Sequence, residues 1–233
     1  MNYKITEQRA RELLVEINAA HEGHFVYQAG DHGPGYLNKD DAFATPEALD
    51  ELARGLAERF VNCGIEVVIG PAYGAIALCY AVALHLGRTE GRTVHAAYMI
   101  KIQEKPVKFQ VKASLASYVA GKRALVVEDI VNSGDTIKAA VRDARTAGAI
   151  VEPCWRRGQP RRQHGRIGEV GVLCSLITVK MDKQPAEECE LCRKDVPIST
   201  HLGHGKRYLE FLETGRPRTT AEYLQWLEEQ SKK

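Results

Sequence analysis

The sequence predicts an α/β fold: a mostly parallel sheet flanked by helices. Three observations carry this. Short apolar runs alternate with helical patterns along the chain, the order that a parallel sheet requires. One such run, Leu125-Val126-Val127, ends in two adjacent acids, Glu128 and Asp129. A loop of small and polar residues follows, and Ile137-Lys138-Ala139-Ala140-Val141 then reads as a helix start. Strand, acidic pair, loop and helix form one device. The carboxylates suit sugar hydroxyls, and the loop amides with the helix N-terminus suit a phosphate. A sugar phosphate is the first ligand to consider.

Taken in order, the N-terminus MNYKITEQRARELL is polar and helical in pattern, unlike a signal peptide. Residues 22–43 are Gly-rich and hairpin-like. A second helix starts near Thr45-Pro46, where a proline sits just inside a threonine cap. Val67-Val68-Ile69 is a strand before a Gly70-Pro71 turn, and Ala75 to Leu86 is an apolar helix. Val94 to Ile100 and Ala124 to Val127 read as strands, and Ile137 to Ala147 as a helix that ends at Gly148. Ile150 to Trp155 and Val170 to Val179 read as further strands. From about residue 182 the chain is polar and loop-rich until Thr220 to Gln230, a short amphipathic helix.

The expected organisation is therefore 1–60, a helix and an N-terminal hood; 61–181, the core; and 182–233, a C-terminal extension with a Cys pair and a terminal helix. In open α/β sheets ligands bind at the C-terminal strand edge. Glu128, Asp129 and the Gly70-Pro71 turn all fall at that edge.

Composition excludes some classes. The 233 residues carry a net charge of +2, so bulk charge selects no partner and nucleic acid is not favoured. No apolar run approaches the ~20 residues that span a bilayer. A cytoplasmic protein with no membrane partner is the default. Its six cysteines then read as reduced rather than as a disulfide framework.

Val126-Val127-Glu128-Asp129-Ile130-Val131-Asn132-Ser133-Gly134-Asp135-Thr136 resembles the phosphoribosyl diphosphate (PRPP) motif of the type I phosphoribosyltransferases. Three further segments resemble the orotate branch of that family. His24-Phe25-Val26-Tyr27-Gln28-Ala29-Gly30, running on to Tyr36-Leu37-Asn38, is similar to its hood. Gly64-Ile65-Glu66-Val67-Val68-Ile69-Gly70-Pro71-Ala72-Tyr73-Gly74 is similar to its strand and diphosphate loop. Gly121-Lys122-Arg123 precedes the PRPP strand, as it often does there. The resemblance covers roughly residues 20–180.

The resemblance implies transfer of ribose 5-phosphate from PRPP to a base nitrogen, with release of diphosphate and with Mg²⁺ as cofactor. Orotate is the first-choice base, a purine or another pyrimidine the runner-up, and a non-catalytic PRPP-sensing regulator the third reading. Glu128 and Asp129 would hold the ribose hydroxyls. Asn132, Ser133, Gly134, Asp135 and Thr136 would wrap the 5′-phosphate, and Ala72, Tyr73 and Gly74 would present amides to the diphosphate. Asp135, an anion in an anion loop, should point away or cap the helix. Residues 101–117 are the candidate mobile loop, with Lys101 and Lys105 as catalytic candidates beside Asp129. Gln28, Tyr36, Leu37 and Lys180 would meet the base. A homodimer is also implied.

The chain departs from the orotate pattern at several cations. Gln28-Ala29 stands where a lysine precedes Ser-Gly, and Gly74 stands where a lysine follows the tyrosine. Only Lys101 matches cleanly in the catalytic loop, and Lys180 stands where an arginine meets the orotate carboxylate.

Two other features stand apart. Cys189-x-x-Cys192 with His201 and His204 has half of a zinc-finger spacing. It reads either as a structural zinc loop or as reduced cysteines in a polar loop. Trp155 to Arg166 carries five arginines and one histidine and reads as a solvated loop between strands, with a subunit contact or a nucleic-acid patch as the functional alternatives.

Overall fold

The computed structural model describes residues 5–152, 164–166, 172–179 and 182–231. In chain order the elements are α1 (Glu7–Glu16), β1 (Ala20–Val26), β2 (His32–Leu37), α2 (Lys39–Ala44), α3 (Pro46–Ala57), β3 (Val67–Pro71), α4 (Ala75–Glu90), β4 (His95–Gln103), β5 (Lys108–Val111), β6 (Ala124–Val126), α5 (Asp135–Thr146), β7 (His164–Arg166), β8 (Val172–Cys174), α6 (Glu190–Arg193), α7 (Gly205–Leu212) and α8 (Thr220–Gln230). They form two compact units, each discontinuous in sequence. The first joins Met1–Ile17 to Lys39–Thr178, and the second joins Asn18–Asn38 to Val179–Lys233.

The first unit is built on a four-stranded sheet in the order β5-β4-β3-β6. β3 runs parallel to β4 and to β6, and β5 closes the edge antiparallel to β4. Central position explains the composition of β3. Successive side chains point to opposite faces, and both faces are covered, so every residue of the strand is buried. Val67 and Ile69 pack with Met99, Phe109, Val119, Ala140 and Ala144 on the α5 side. Val68 packs on the other side with Ala53 of α3 and with Leu78, Val82 and Leu86 of α4. Gly70 then turns tightly: an added Cβ would lie 2.5 Å from the Ala75 carbonyl oxygen. α4 ends at Gly91, whose φ of +64° supplies the left-handed cap.

Several sequence expectations change here. Residues 101–117, expected as a mobile loop, contain the β4–β5 hairpin and then a 3₁₀ turn over Ala113–Tyr118. Residue alternation explains it: Phe109 and Val111 are buried, whereas Lys108 and Gln110 are exposed. The strand expected from Ile150 amounts, among the described residues, to one parallel bridge between Arg123 and Ile150. Within the stretch expected as a strand over residues 170–179, Val172–Cys174 pairs antiparallel with β7, outside the four-stranded sheet. Most of the arginine-rich stretch lies outside the described residues. Of the cysteines, Cys79, Cys174, Cys189 and Cys192 are free thiols, as expected, but Cys63 is disulfide-bonded. No helix among the described residues is long and apolar enough to cross a membrane.

The second unit joins the β1–β2 hairpin to the C-terminal segment. Val26, Ala186, Tyr208, Phe211 and Tyr223 form its core. The rings of Tyr208, Phe211 and Tyr223 lie 5.1–5.6 Å apart in tilted and edge-on pairs. The sequence reading treats residues 205–212 as loop, yet they form α7. Tyr208 and Phe211, three residues apart, share one helix face and bury it. α8 starts as expected, with the Thr219 side chain accepting the Glu222 amide at 3.2 Å.

Candidate functional site in the first unit

β6 ends at Val126, and the chain carries Glu128 and Asp129 just beyond the C-terminal end of the sheet. The two carboxylates sit in different environments. Asp129 is 6% exposed and is satisfied: its Oδ2 pairs with Lys39 Nζ, and its Oδ1 accepts the Ile130 amide at 2.8 Å. Glu128 Oε2 is buried with no hydrogen-bond partner among the described residues. Burial, and next the Asp129 charge, push the Glu128 carboxyl up to about 7, against the pull of Lys39 and Lys101. A buried carboxylate oxygen without a donor fits a sugar hydroxyl or a hard cation such as Mg²⁺, which is bound through few carboxylates.

Lys39 is the residue that sequence reasoning missed. It reaches Asp129 across Gly74, where an added Cβ would collide with Asp129 Oδ2 and Lys39 Nζ. Gly74 thus stands where the family pattern has a lysine, and its missing side chain leaves room for a cation from elsewhere. The only signal in sequence is a lysine directly after Asn38, and no spacing rule links it to position 129.

The diphosphate-loop residues divide. The Ala72–Tyr73 peptide is cis. The Ala72 amide, expected to face a ligand, donates instead to the Met99 carbonyl at 2.7 Å. Tyr73 is 87% exposed. Gly74 stands just before the first residue of α4.

The loop 130–134 turns into α5 through Gly134, whose φ of +81° is left-handed. Asp135 makes no cap. Its carboxylate faces the Ser133 hydroxyl at 2.9 Å and Lys138 Nζ at 3.1 Å, and these partners hold its pKa below the usual value. Asn132 and Thr136 flank this turn. Lys101, on β4, pairs with Glu104 at 3.4 Å and still acts on Glu128 through its charge. Lys105 lies at the hairpin tip, where its carbonyl accepts from Gln103 Nε2 at 3.0 Å.

The expected base-binding residues Gln28, Tyr36 and Leu37 belong to the second unit. Tyr36 lies beside Phe25 with ring centroids 5.4 Å apart, and Leu37 pairs with Ala20 across the hairpin. Lys180 lies outside the described residues. The Cys189 and Cys192 thiols gather in the second unit with His24 and His32, not with His201 and His204. His201 is exposed, and the His204 amide donates to Val26. The spacing argument could not reach the partners across the chain.

Residues 40–152 match the phosphoribosyl transferase domain family. The orotate phosphoribosyltransferase of Caldicellulosiruptor saccharolyticus is 30% identical over 188 residues, which cover 80% of this chain and 92% of that protein. The orotate phosphoribosyltransferase of Caldanaerobacter subterraneus subsp. tengcongensis is 29% identical over 192 residues, 82% of this chain and 95% of that protein. The crystal structure of the Mycobacterium tuberculosis orotate phosphoribosyltransferase with inorganic phosphate covers 61% of this chain and 76% of that one, at 22% identity and a TM-score of 0.49. The chain belongs to the type I phosphoribosyltransferase family. Its chemistry is that of a pentosyltransferase.

Proposed function

We propose that the protein is an orotate phosphoribosyltransferase: it joins a nitrogen of orotate to C1 of ribose 5-phosphate and releases diphosphate from PRPP. The observation that carries the reaction is the carboxylate pair at the end of β6, one acid neutralised by Lys39 and the other holding a buried oxygen without a donor among the described residues. Orotate as the base is supported by the names of relatives that match over more than nine-tenths of their own length.

The chain's own residues do the following in this reading. Glu128 and Asp129 accept hydrogen bonds from the ribose hydroxyls and orient C1. The loop 132–136 holds the 5′-phosphate through amides and the start of α5. Lys39 and Lys101 offset the charge of the departing diphosphate. Fixed charges and positioning suffice where the transition state is a loose, oxocarbenium-like sugar. Glu128 and Asp129 are the residues that would hold Mg²⁺, which supplies charge neutralisation on the diphosphate. Gln28, Tyr36, Leu37 and Lys180 are proposed to meet the base. The proposal includes a cytoplasmic homodimer, with mass by light scattering as its check.

The test is diphosphate release from PRPP and Mg²⁺ with orotate, uracil, adenine, guanine, hypoxanthine and xanthine in turn. Release with orotate alone is expected. Release with a purine alone would replace the substrate, and tight PRPP binding with no release would favour a PRPP-sensing regulator.

A further inference from the structure

In the second unit His24, His32, Cys189 and Cys192 bring one ligand atom each to a common point, all within 4.8 Å of one another. His24 and His32 are buried in this unit, at 1% and 0% exposure. A polar side chain this deep in a small unit requires a reason, because desolvation without a partner costs about 1–3 kcal/mol.

The strands aim the histidines. β1 and β2 are antiparallel with Val26 opposite His32, and the register shifts between Glu22 and Phe25, where His24 sits; its ring lies with its centroid 5.1 Å from that of His32. The C-terminal segment pins both from either side of the Cys pair. His32 exchanges two backbone hydrogen bonds with Gln184 at 2.8 and 2.9 Å, and the Ser199 amide donates to His24 at 2.8 Å. Gln184 also accepts the Glu190 amide through its side chain at 2.9 Å, which fixes the turn between the cysteines.

The His24 ring is oriented as a ligand. Its Nδ1–H donates to the Val196 carbonyl at 2.8 Å, which leaves the Nε2 lone pair facing the cluster. Nε2 lies 3.6 Å from Cys189 Sγ and 3.6 Å from Cys192 Sγ, and Cys192 Sγ lies 3.3 Å from His32 Nδ1. Around a tetrahedral zinc, with Zn–N of about 2.05 Å and Zn–S of about 2.3 Å, such atoms stand about 3.3–3.8 Å apart. The Nε2–Nδ1 separation of 2.9 Å must widen by about 0.4 Å and the Cys192–His32 separation by about 0.2 Å, while the widest pair of ligand atoms, within 4.8 Å, must draw in by up to about 1 Å.

We propose that His24 Nε2, His32 Nδ1, Cys189 Sγ and Cys192 Sγ form a structural zinc site that ties the β1–β2 hairpin to the C-terminal segment. Two thiolates and two imidazoles in a tetrahedral set select zinc over hard cations. Four protein ligands leave no open position, so the role is structural. A unit of short elements and a small aromatic core is the kind that gains from a metal. The site does not depend on the base that the enzyme uses.

The test measures metal in the full-length protein, purified without chelator or affinity metal. We expect one equivalent of zinc per chain. We expect Co²⁺ substitution to give visible tetrahedral d–d bands and a sulfur-to-metal charge-transfer band. Removing the metal with a strong chelator should lower the melting temperature, and zinc should restore it. Cys192→Ser and His32→Ala should lose the zinc, and the double change His201→Ala with His204→Ala should keep it. Where a variant fails to fold, the Co²⁺ spectrum of the parent protein decides. Sub-stoichiometric zinc and no tetrahedral Co²⁺ spectrum, with both thiols reduced, would overturn the proposal in favour of a hydrogen-bonded polar core. Zinc lost from the His201/His204 variant alone would overturn the ligand set.

Discussion

The two polar clusters of this molecule are assembled in opposite ways. In the first unit the acidic pair and the phosphate-type loop are one unbroken run, residues 128–136, between a strand and a helix. In the second unit the four candidate zinc ligands come from β1, β2 and a turn more than 150 residues away in sequence. A contiguous cluster owes its geometry to local structure, so changes there should damage chemistry and spare the fold. A dispersed cluster exists only when distant segments meet, so changes there should damage the fold of its unit. Chelation, which should lower the melting temperature, is the experiment on that side.

On the chemical side the effects should fall in a clear order. Asp129→Asn keeps the shape and removes the charge that faces Lys39. It should lower kcat/KM for diphosphate release by about 10²–10³-fold, with zinc content unchanged. A loss below tenfold would mean that the pair does not carry the reaction. Gly74→Ala should come next, because its methyl group would push Asp129 and Lys39 out of place. A displacement of that kind costs about 10–10²-fold in rate, and circular dichroism should stay the same.

Lys39→Ala should cost about tenfold in kcat/KM, roughly one unit of transition-state arithmetic. Because Lys39 is partly exposed, the accompanying loss in stability should be under about 1 kcal/mol. Lys101→Ala should act in the same direction, and Lys105→Ala should change the rate less than about threefold, since its place is the hairpin tip. A larger effect at Lys105 than at Lys101 would return the catalytic role to the tip.

A separate effect, on stability rather than rate, concerns pH. Glu128 has a folded pKa of about 7, above its ordinary 4.5, so the native state holds a proton that the unfolded chain has already lost. The resulting stability is present below the unfolded value and is lost as pH rises through about 7. Denaturant titrations should show Glu128→Gln escaping that decline, a difference of about 1–3 kcal/mol between pH 4.5 and 7.5. Parallel curves for the two proteins would mean that Glu128 is not desolvated.

Much of this is legible in the sequence. β3 is a run of apolar residues because it is buried on both faces, and periodicity reports burial directly. The Glu128–Thr136 device was legible because its parts are neighbours in the chain. Two secondary-structure readings failed for reasons of packing. The charged stretch after Lys101 pairs as a hairpin because Phe109 and Val111 are buried, and Gly205 to Leu212 is a helix because Tyr208 and Phe211 are.

The sequence by itself determined the α/β class, the central strands, the acidic pair and the loop that enters α5, since each rests on local propensity or short-range pattern. Only the tertiary structure decided which cation neutralises Asp129, which carboxylate is left desolvated, and which histidines face the Cys pair. Those outcomes depend on side chains meeting across tens to more than a hundred residues. A chain records such meetings in no spacing rule, because the intervening segments set the distance.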